Sequence, residues 1–250
     1  MSNTHLGIDI GGTGIKGAVV DIATGEFLTD KIKYKTPQSS DPEAVLSVVK
    51  QLISDFDWSE KPIGFGFPAI MKNGVARSAA NVHDDWINFD IQTFFREKLN
   101  NGGITVVNDA DAAGLAELLF GAAKGMNGSV LLLTLGTGIG SALMVNGNLI
   151  PNTELGHLKW KESITEDYAS NRARKTKQLN WQDFGSELVE VLQHIELLLS
   201  PDCIIIGGGI SKSFVEYDPS HSLKAKIIPA ALKNNAGIIG AAYYNHLNNS

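Results

Sequence analysis

The sequence predicts an α/β protein of two similar lobes with a cleft between them, and three observations lead there. Short apolar runs of strand length alternate with longer runs of helical spacing. A strand, a glycine-rich loop and a second strand occur around Ile10 to Ile15, and the same device returns around Leu135 to Ile139. No low-complexity linker parts the two halves, so the lobes are expected to share an interface. Two copies of one device mean a duplicated lobe, since a solenoid needs at least three.

Leu6 to Ile10 reads as a buried strand, broken by Gly11-Gly12 and resumed from Ile15 to Val20. After a turn at Thr24-Gly25, Phe27 to Lys35 suggests a third strand. Asp41-Pro42-Glu43 combines an N-cap, proline at the first helical position and an acid facing the dipole. Ala44, Val45, Val48, Val49, Leu52 and Ile53 then follow at helical spacing. Pro62 to Phe67 is a strand, and Phe94, Phe95 and Leu99 fit a helix before the Asn101 to Gly103 break. Ile104 to Val107 is a strand ending on Asn108-Asp109, with a helix from Ala110 to Phe120.

In the second half, Val130 to Leu135 and Ile139 to Val145 are strands around Gly136-Thr137-Gly138, with Asn146-Gly147 as a hairpin turn. Trp181 to Leu199 is an amphipathic helix that Pro201 ends. Cys203 to Ile206 is a strand leading into Gly207 to Gly209, and Ala236 to Leu247 is a closing helix.

Composition narrows the function classes. The chain has 250 residues, 43% hydrophobic and 19% charged, enough for a sizeable core. A net charge of −6 argues against a nucleic-acid binder with a broad positive surface. One cysteine, Cys203, excludes an intramolecular disulfide and a cysteine-built zinc site. Met1 to His5 lacks the regions of a signal peptide, and no apolar run approaches the ~20 residues that span a bilayer, so a cytoplasmic protein is expected.

The chemistry gathers at the loops. In Asp9 to Lys16, glycines at 11, 12 and 14 let backbone amides approach phosphate oxygens without Cβ interference. Thr13 adds a hydroxyl, Lys16 a cation, and Asp9 a carboxylate suited to orienting water on a divalent metal. An ordinary hairpin would explain one such loop about as well. The second loop, Gly136, Thr137 and Gly138, and the glycines Gly208 and Gly209 tip the balance toward phosphate handling. It is not a P-loop, and not a Rossmann fingerprint, because a strand follows the glycines.

Asp109, at the carboxyl end of a strand, suits the proton acceptor that phosphoryl transfer to an alcohol requires, with Asn108 beside it. Capping the following helix is the alternative role for Asp109, and the base is favoured because Asp111 is available as the cap instead. Glu154 and His157, separated by Leu-Gly, can both turn toward one polyol; Glu166 is a weaker candidate. Arg172, Arg174, Lys175 and Lys177 are either a solvated helix face or an extension of the path for a polyanionic donor.

Asp9 to Lys16, Val107 to Ala110, Leu135 to Gly140 and Glu154 to His157 together resemble the ROK sugar kinases, in order and across nearly the whole chain. Pro151 to Leu158, Glu166 to Ser170 and Pro229 to Ile238 are similar to its polyphosphate glucokinase branch. The resemblance implies an actin-like ATPase (ribonuclease H-like) fold: an N-terminal lobe 1–109, with the helix 238–250 packed back on it, and a C-terminal lobe 110–237. It implies Asp109 as general base, with Asn108, Glu154, His157 and Glu166 around glucose. It further implies Asp9 near Mg²⁺, through water, and both loops on the donor's phosphates, with Gly208 and Gly209 near the adenosine of an ATP-using relative. The implied donor is polyphosphate, ATP being the alternative, and the implied assembly is a homodimer.

Two departures from the family pattern matter. Lys159 to Thr165 is short and without cysteine, so zinc is not expected. Only eight residues precede Asp9, which leaves no room there for the helix-turn-helix of the family's repressors. A sugar-sensing regulator without a DNA-binding domain is the non-enzyme alternative. Mannose is the alternative sugar.

Overall fold

The first hairpin follows the apolar pattern closely. β1 (Thr4–Gly11) turns at Gly12-Thr13 into antiparallel β2 (Gly14–Asp21), which sets Asp9 opposite Lys16. Leu6, Ile8 and Ile10 are fully buried on this strand. The structure is a computed structural model describing residues 3–79 and 82–249, so Met1, Ser2 and the helix end at Ser250 lie outside the described residues. The chain divides into two compact units, 1–116 with 235–250, and 117–234.

In the first unit the single strand expected over 27–35 is instead two, β3 (Glu26–Phe27) and β4 (Ile32–Tyr34). The cause is a cross-strand contact: the Thr29 hydroxyl accepts from Val19 N at 3.1 Å, a side chain taking the place of a ladder carbonyl. Both strands pair with β2. α1 (Pro42–Asp55) begins as its sequence dictates, Asp41 accepting from Ala44 N at 2.9 Å. Its Val45, Leu46, Val49 and Leu52 are buried.

β5 (Ile63–Phe67) is buried throughout, as a strand flanked on both sides must be. A small hairpin, β6 (Met71–Lys72) and β7 (Val75–Ala76), precedes α2 (Ile91–Lys98), which Asp90 caps. β8 (Ile104–Asn108) runs directly into α3 (Asp109–Phe120). The sheet has the order β3-β2-β1-β5-β8, with β4 also on β2, and β1, β5 and β8 are parallel.

The second unit repeats this plan. β9 (Ser129–Leu135) and β10 (Ile139–Val145) form an antiparallel hairpin that β11 (Asn148–Ile150) extends. Asn146 and Gly147, at φ 50° and 81°, make the turn between β10 and β11. β12 (Lys159–Trp160) and β13 (Ser163–Ile164) pair with each other, and α4 (Glu166–Ala169) and α5 (Asn171–Thr176) follow.

α6 (Trp181–Leu199) buries Phe184, Leu188, Leu192 and Ile195 in the same core cluster as Leu131 and Leu133 of β9. It ends one residue before Pro201, at Ser200 in the left-handed region with φ 43°. β14 (Cys203–Gly207), α7 (Phe214–Tyr217) and β15 (Lys226–Pro229) complete the unit. The sheet order is β11-β10-β9-β14-β15, and β9, β14 and β15 are parallel. An antiparallel hairpin followed by two parallel strands thus occurs in each unit, so the loop repeat read from sequence is a repeat of topology.

The closing helix α8 (Ala236–Asn249) belongs to the first unit. Three glycines let it approach: Gly7 meets the carbonyl of Ile238, Gly64 that of Ala241, and Gly240 that of Ala112. A Cβ at any of them would overlap backbone. Buried Asn245 fastens the helix, donating to Ile63 O at 2.8 Å and Gly103 O at 2.9 Å, while its Oδ1 lies 2.8 Å from His5 Nδ1. Among the described residues no helix is long and apolar enough to cross a membrane.

Candidate active site

Each unit carries part of the predicted constellation. In the first, Gly11, Gly12 and Thr13 form the turn between β1 and β2, with Gly12 and Thr13 exposed. The Thr36 hydroxyl donates to Gly11 O at 2.5 Å and steadies the turn from the side. Strand register brings Lys16 to Asp9, with Nζ 2.9 Å from Oδ2. Gly237, in the first turn of α8, lies so close to the Asp9 carboxylate that a Cβ there would overlap it. The positive end of that helix therefore faces the carboxylate.

A single carboxylate beside a glycine turn fits Mg²⁺, which keeps several of its own waters, better than a cation that needs a full protein cage. Asp9 is the residue that would hold such an ion through water.

Asn108 and Asp109 occupy the junction of β8 and α3. The sequence left the helix cap to Asp109 or Asp111, but Asn108 does most of it. Its Oδ1 accepts from Ala110 N at 2.9 Å and Asp111 N at 3.0 Å, and its Nδ2 donates to Ala69 O at 3.0 Å. Asn108 precedes the helix and is buried, so its short carboxamide reaches the N-terminal amides, which Asp111 inside the first turn cannot do. Asp109 accepts from Ala110 N at 2.8 Å through Oδ1. Its carboxylate is thereby held at the carboxyl end of β8 by a local bond as well as by the strand.

In the second unit the loop Gly136-Thr137-Gly138 closes on itself, Gly136 N donating to Gly138 O at 2.9 Å, and Thr137 is exposed. Because β9 and β14 are parallel neighbours, Gly208 falls beside this loop. It takes φ 80° and lies against the Leu135 backbone, so it must be glycine on both counts. Gly209 is exposed and opens a short helical turn over 209–213.

The Glu154 to His157 segment is bolted to β10. Ser141 Oγ accepts from Leu155 N at 3.0 Å, Thr153 Oγ1 donates to Ser141 O at 3.0 Å, and Thr165 Oγ1 donates to Gly156 O at 2.9 Å. Gly156 lies against the carbonyl of Ile139 with no room for a Cβ. Thus Glu154 and His157 meet, Oε2 to Nδ1, at 3.2 Å. Burial pushes the Glu154 carboxyl up, His157 opposes that, and Glu166 adds to it. Glu166 accepts from Ile139 N at 3.2 Å and lies against Gly138, so it joins the glycine loop to the same cluster.

Ser141 and Thr165 were not legible as site residues, because nothing in the sequence distinguishes a buried hydroxyl that ties two segments from a solvated one. Glu117 was missed for a like reason. It is fully buried and accepts from Ala122, Ala231 and Leu232 amides at 2.7, 3.1 and 2.7 Å.

The cationic stretch 171–177 has local employment. Arg172 lies 3.2 Å from Glu166 and 3.4 Å from Asp167. Arg174 stacks 4.0 Å over Trp181, and Lys177 sits 4.3 Å over Tyr168. These contacts favour the structural reading of that stretch over a donor path.

With the loops, the strand-end aspartate and the acid–imidazole pair described, the comparisons with known proteins fall into line. The model of the ROK family matches residues 5–173. The chain belongs to the ROK family. It is 42% identical over 237 residues to the polyphosphate glucokinase of Mycobacterium tuberculosis strain H37Rv, covering 95% of this chain and 89% of that one. It is 43% identical to the inorganic polyphosphate/ATP-glucomannokinase of Arthrobacter sp. strain KM, with a TM-score of 0.94 over 99% of this chain and 100% of that structure. A ROK family glucokinase of Streptomyces griseus, solved with glucose and AMPPNP, shares the fold at a TM-score of 0.83 and 22% identity, covering 98% of this chain and 99% of that one. The two-lobed actin-like fold expected from sequence is the fold of these ROK sugar kinases.

Proposed function

We propose that this protein transfers the terminal phosphoryl group of inorganic polyphosphate to the 6-hydroxyl of glucose. The observation that carries the reading is the likeness, at 42% identity over 95% of this chain and 43% with 99% of it covered, to two proteins named for polyphosphate. Within it, Asp109 is the general base. Its carboxylate takes the proton of the 6-hydroxyl as that oxygen attacks phosphorus in line with the leaving phosphate. Asn108 supports the base by fixing the start of α3, and in this reading its carboxamide also donates to the sugar.

Glu154, His157 and Glu166 receive sugar hydroxyls; carboxylates accept from hydroxyl protons and the imidazole can donate or accept, which suits a polyol. The amides of Gly11, Gly12, Thr13, Gly136, Thr137 and Gly138, with Lys16 and the Gly208-Gly209 turn, hold donor phosphates. Asp9 would hold Mg²⁺ through water, and the ion, when bound, would supply neutralisation of the donor's negative charge. A cytoplasmic homodimer is part of the same reading and is supported by family membership alone. ATP as a second donor and mannose as a second sugar are favoured by one observation, the 43% identity to a polyphosphate/ATP-glucomannokinase.

A coupled assay for sugar 6-phosphate, run with polyphosphate or ATP against glucose or mannose, tests the activity, the donor and the sugar. Product from polyphosphate and glucose is expected. Product from ATP alone would overturn the donor assignment, and none from any pair would overturn the activity.

A further inference from the structure

Strand pairing in the first unit gathers lysines beside the glycine turn. Lys16 of β2 and Lys33 of β4 are register partners, so two lysines face each other across neighbouring strands, Lys16 with its Nζ on Asp9. The Lys33 side chain arches over Gly14, where a Cβ would come 2.5 Å from Cε and 3.3 Å from Nζ. Lys31 precedes β4, and its Nζ donates to Asn235 Oδ1 at 2.7 Å. Residues 31 to 35 alternate, with Lys31, Lys33 and Lys35 exposed and Ile32 and Tyr34 half-buried. The three lysines therefore share one face of an extended segment, ~7 Å apart along it.

Like charges facing each other across a strand pair oppose folding. Their mutual field is felt: burial first, then Lys16 and Lys33, hold the Lys31 ammonium below the ordinary lysine range. Asp9 is the carboxylate that counters them, and its Oδ2 already holds Lys16. In an acidic chain of net charge −6, such a concentration of positive charge next to a phosphate-type glycine turn calls for an anion.

We propose that Lys31 and Lys33 form a subsite for the phosphate units of polyphosphate that extend beyond the glycine turn. This rests on the polyphosphate reading above. A polyphosphate repeats its charge along the chain without a fixed end group, and lysine, a flexible point charge, suits such a ligand better than the planar fork of arginine. The competing explanation is that the lysines on and beside β4 merely keep a sheet edge from pairing with another chain.

The test uses the full chain and its Lys31→Ala/Lys33→Ala and Lys31→Arg/Lys33→Arg variants. kcat/KM is measured with polyphosphates of increasing length at saturating glucose, and equilibrium binding of long polyphosphate is measured without glucose. For the alanine pair, a fall of about 10-fold with long chains is expected, shrinking as the donor shortens, with most of the loss restored by arginine. Weakened binding of long polyphosphate is expected in the same variant. An effect that is absent, or equal at every donor length, overturns the subsite and leaves the edge-guarding role. If the wild-type chain binds polyphosphate but makes no product from it, the proposed function fails while the binding arm still decides the subsite. If it neither binds nor uses polyphosphate, both fail.

Discussion

Replacing Glu117 tests how the second unit is held together. The residue is fully buried, and its carboxylate collects three backbone donors. Ala122 N and Ala231 N donate to Oε2 at 2.7 and 3.1 Å, and Leu232 N donates to Oε1 at 2.7 Å. Glu117→Gln keeps the shape but turns one acceptor into a donor. The better orientation keeps the carbonyl oxygen at the Oε2 position and sets the new NH₂ against Leu232 N. One charge-assisted bond is then lost and two donors face each other, a cost of about 2 kcal/mol.

Glu117→Ala leaves all three amides without their partner. Ala231 is exposed and can turn to water, so the two half-buried donors dominate. About 3 kcal/mol is expected, at about 1–3 kcal/mol for each unsatisfied buried group. With 2–4 °C per kcal/mol for a chain of this size, Tm should fall by roughly 4–8 °C for Gln and roughly 6–12 °C for Ala. Thermal unfolding gives those numbers, and hydrogen exchange at Leu232 locates the effect. A Gln variant within about 0.5 kcal/mol of wild type, with unchanged exchange at Leu232, would refute the argument, since surface changes have that size.

Three further outcomes are expected. Asp109→Asn should lower kcat by at least ~10²-fold and leave glucose binding by calorimetry near the wild-type value; full turnover would remove Asp109 from proton transfer. Glu154→Gln should raise Tm at neutral pH while raising KM for glucose. The folded carboxyl is held above its unfolded value, so it favours folding only at acid pH, and that contribution is lost as pH rises through the raised value. The Tm gain should therefore vanish in acid, and a gain that persists there would count against burial as its cause. Gly138→Ala should raise KM for both substrates, because a Cβ there overlaps the Glu166 carboxylate that Ile139 N also holds; unchanged constants for donor and sugar would uncouple the loop from Glu166.

Much of the fold was legible because its signals are local. Alternation of Leu6, Ile8 and Ile10, the Asp41-Pro42 helix start and the Asn146-Gly147 turn depend on neighbours within a few residues, and each appears in the structure. The duplicated strand–loop–strand was visible for the same reason. The break between β3 and β4 was not, because it depends on the Thr29 hydroxyl meeting Val19, ten residues away and across the sheet.

For the candidate site, the sequence by itself supplied the residue types and their order: two glycine loops, a strand-end aspartate and an acid–imidazole pair. Tertiary structure decided which groups meet. Register joined Lys16 to Asp9 and set Lys33 beside Lys16. Backbone reach made Asn108 rather than Asp111 the helix cap. Packing on Trp181 and Tyr168 occupied Arg174 and Lys177, two of the cations that the sequence offered to the donor. The physical reason is one of range: capping and alternation act along the chain, whereas charge pairing and close approach depend on distances that only the folded chain brings below a few ångströms.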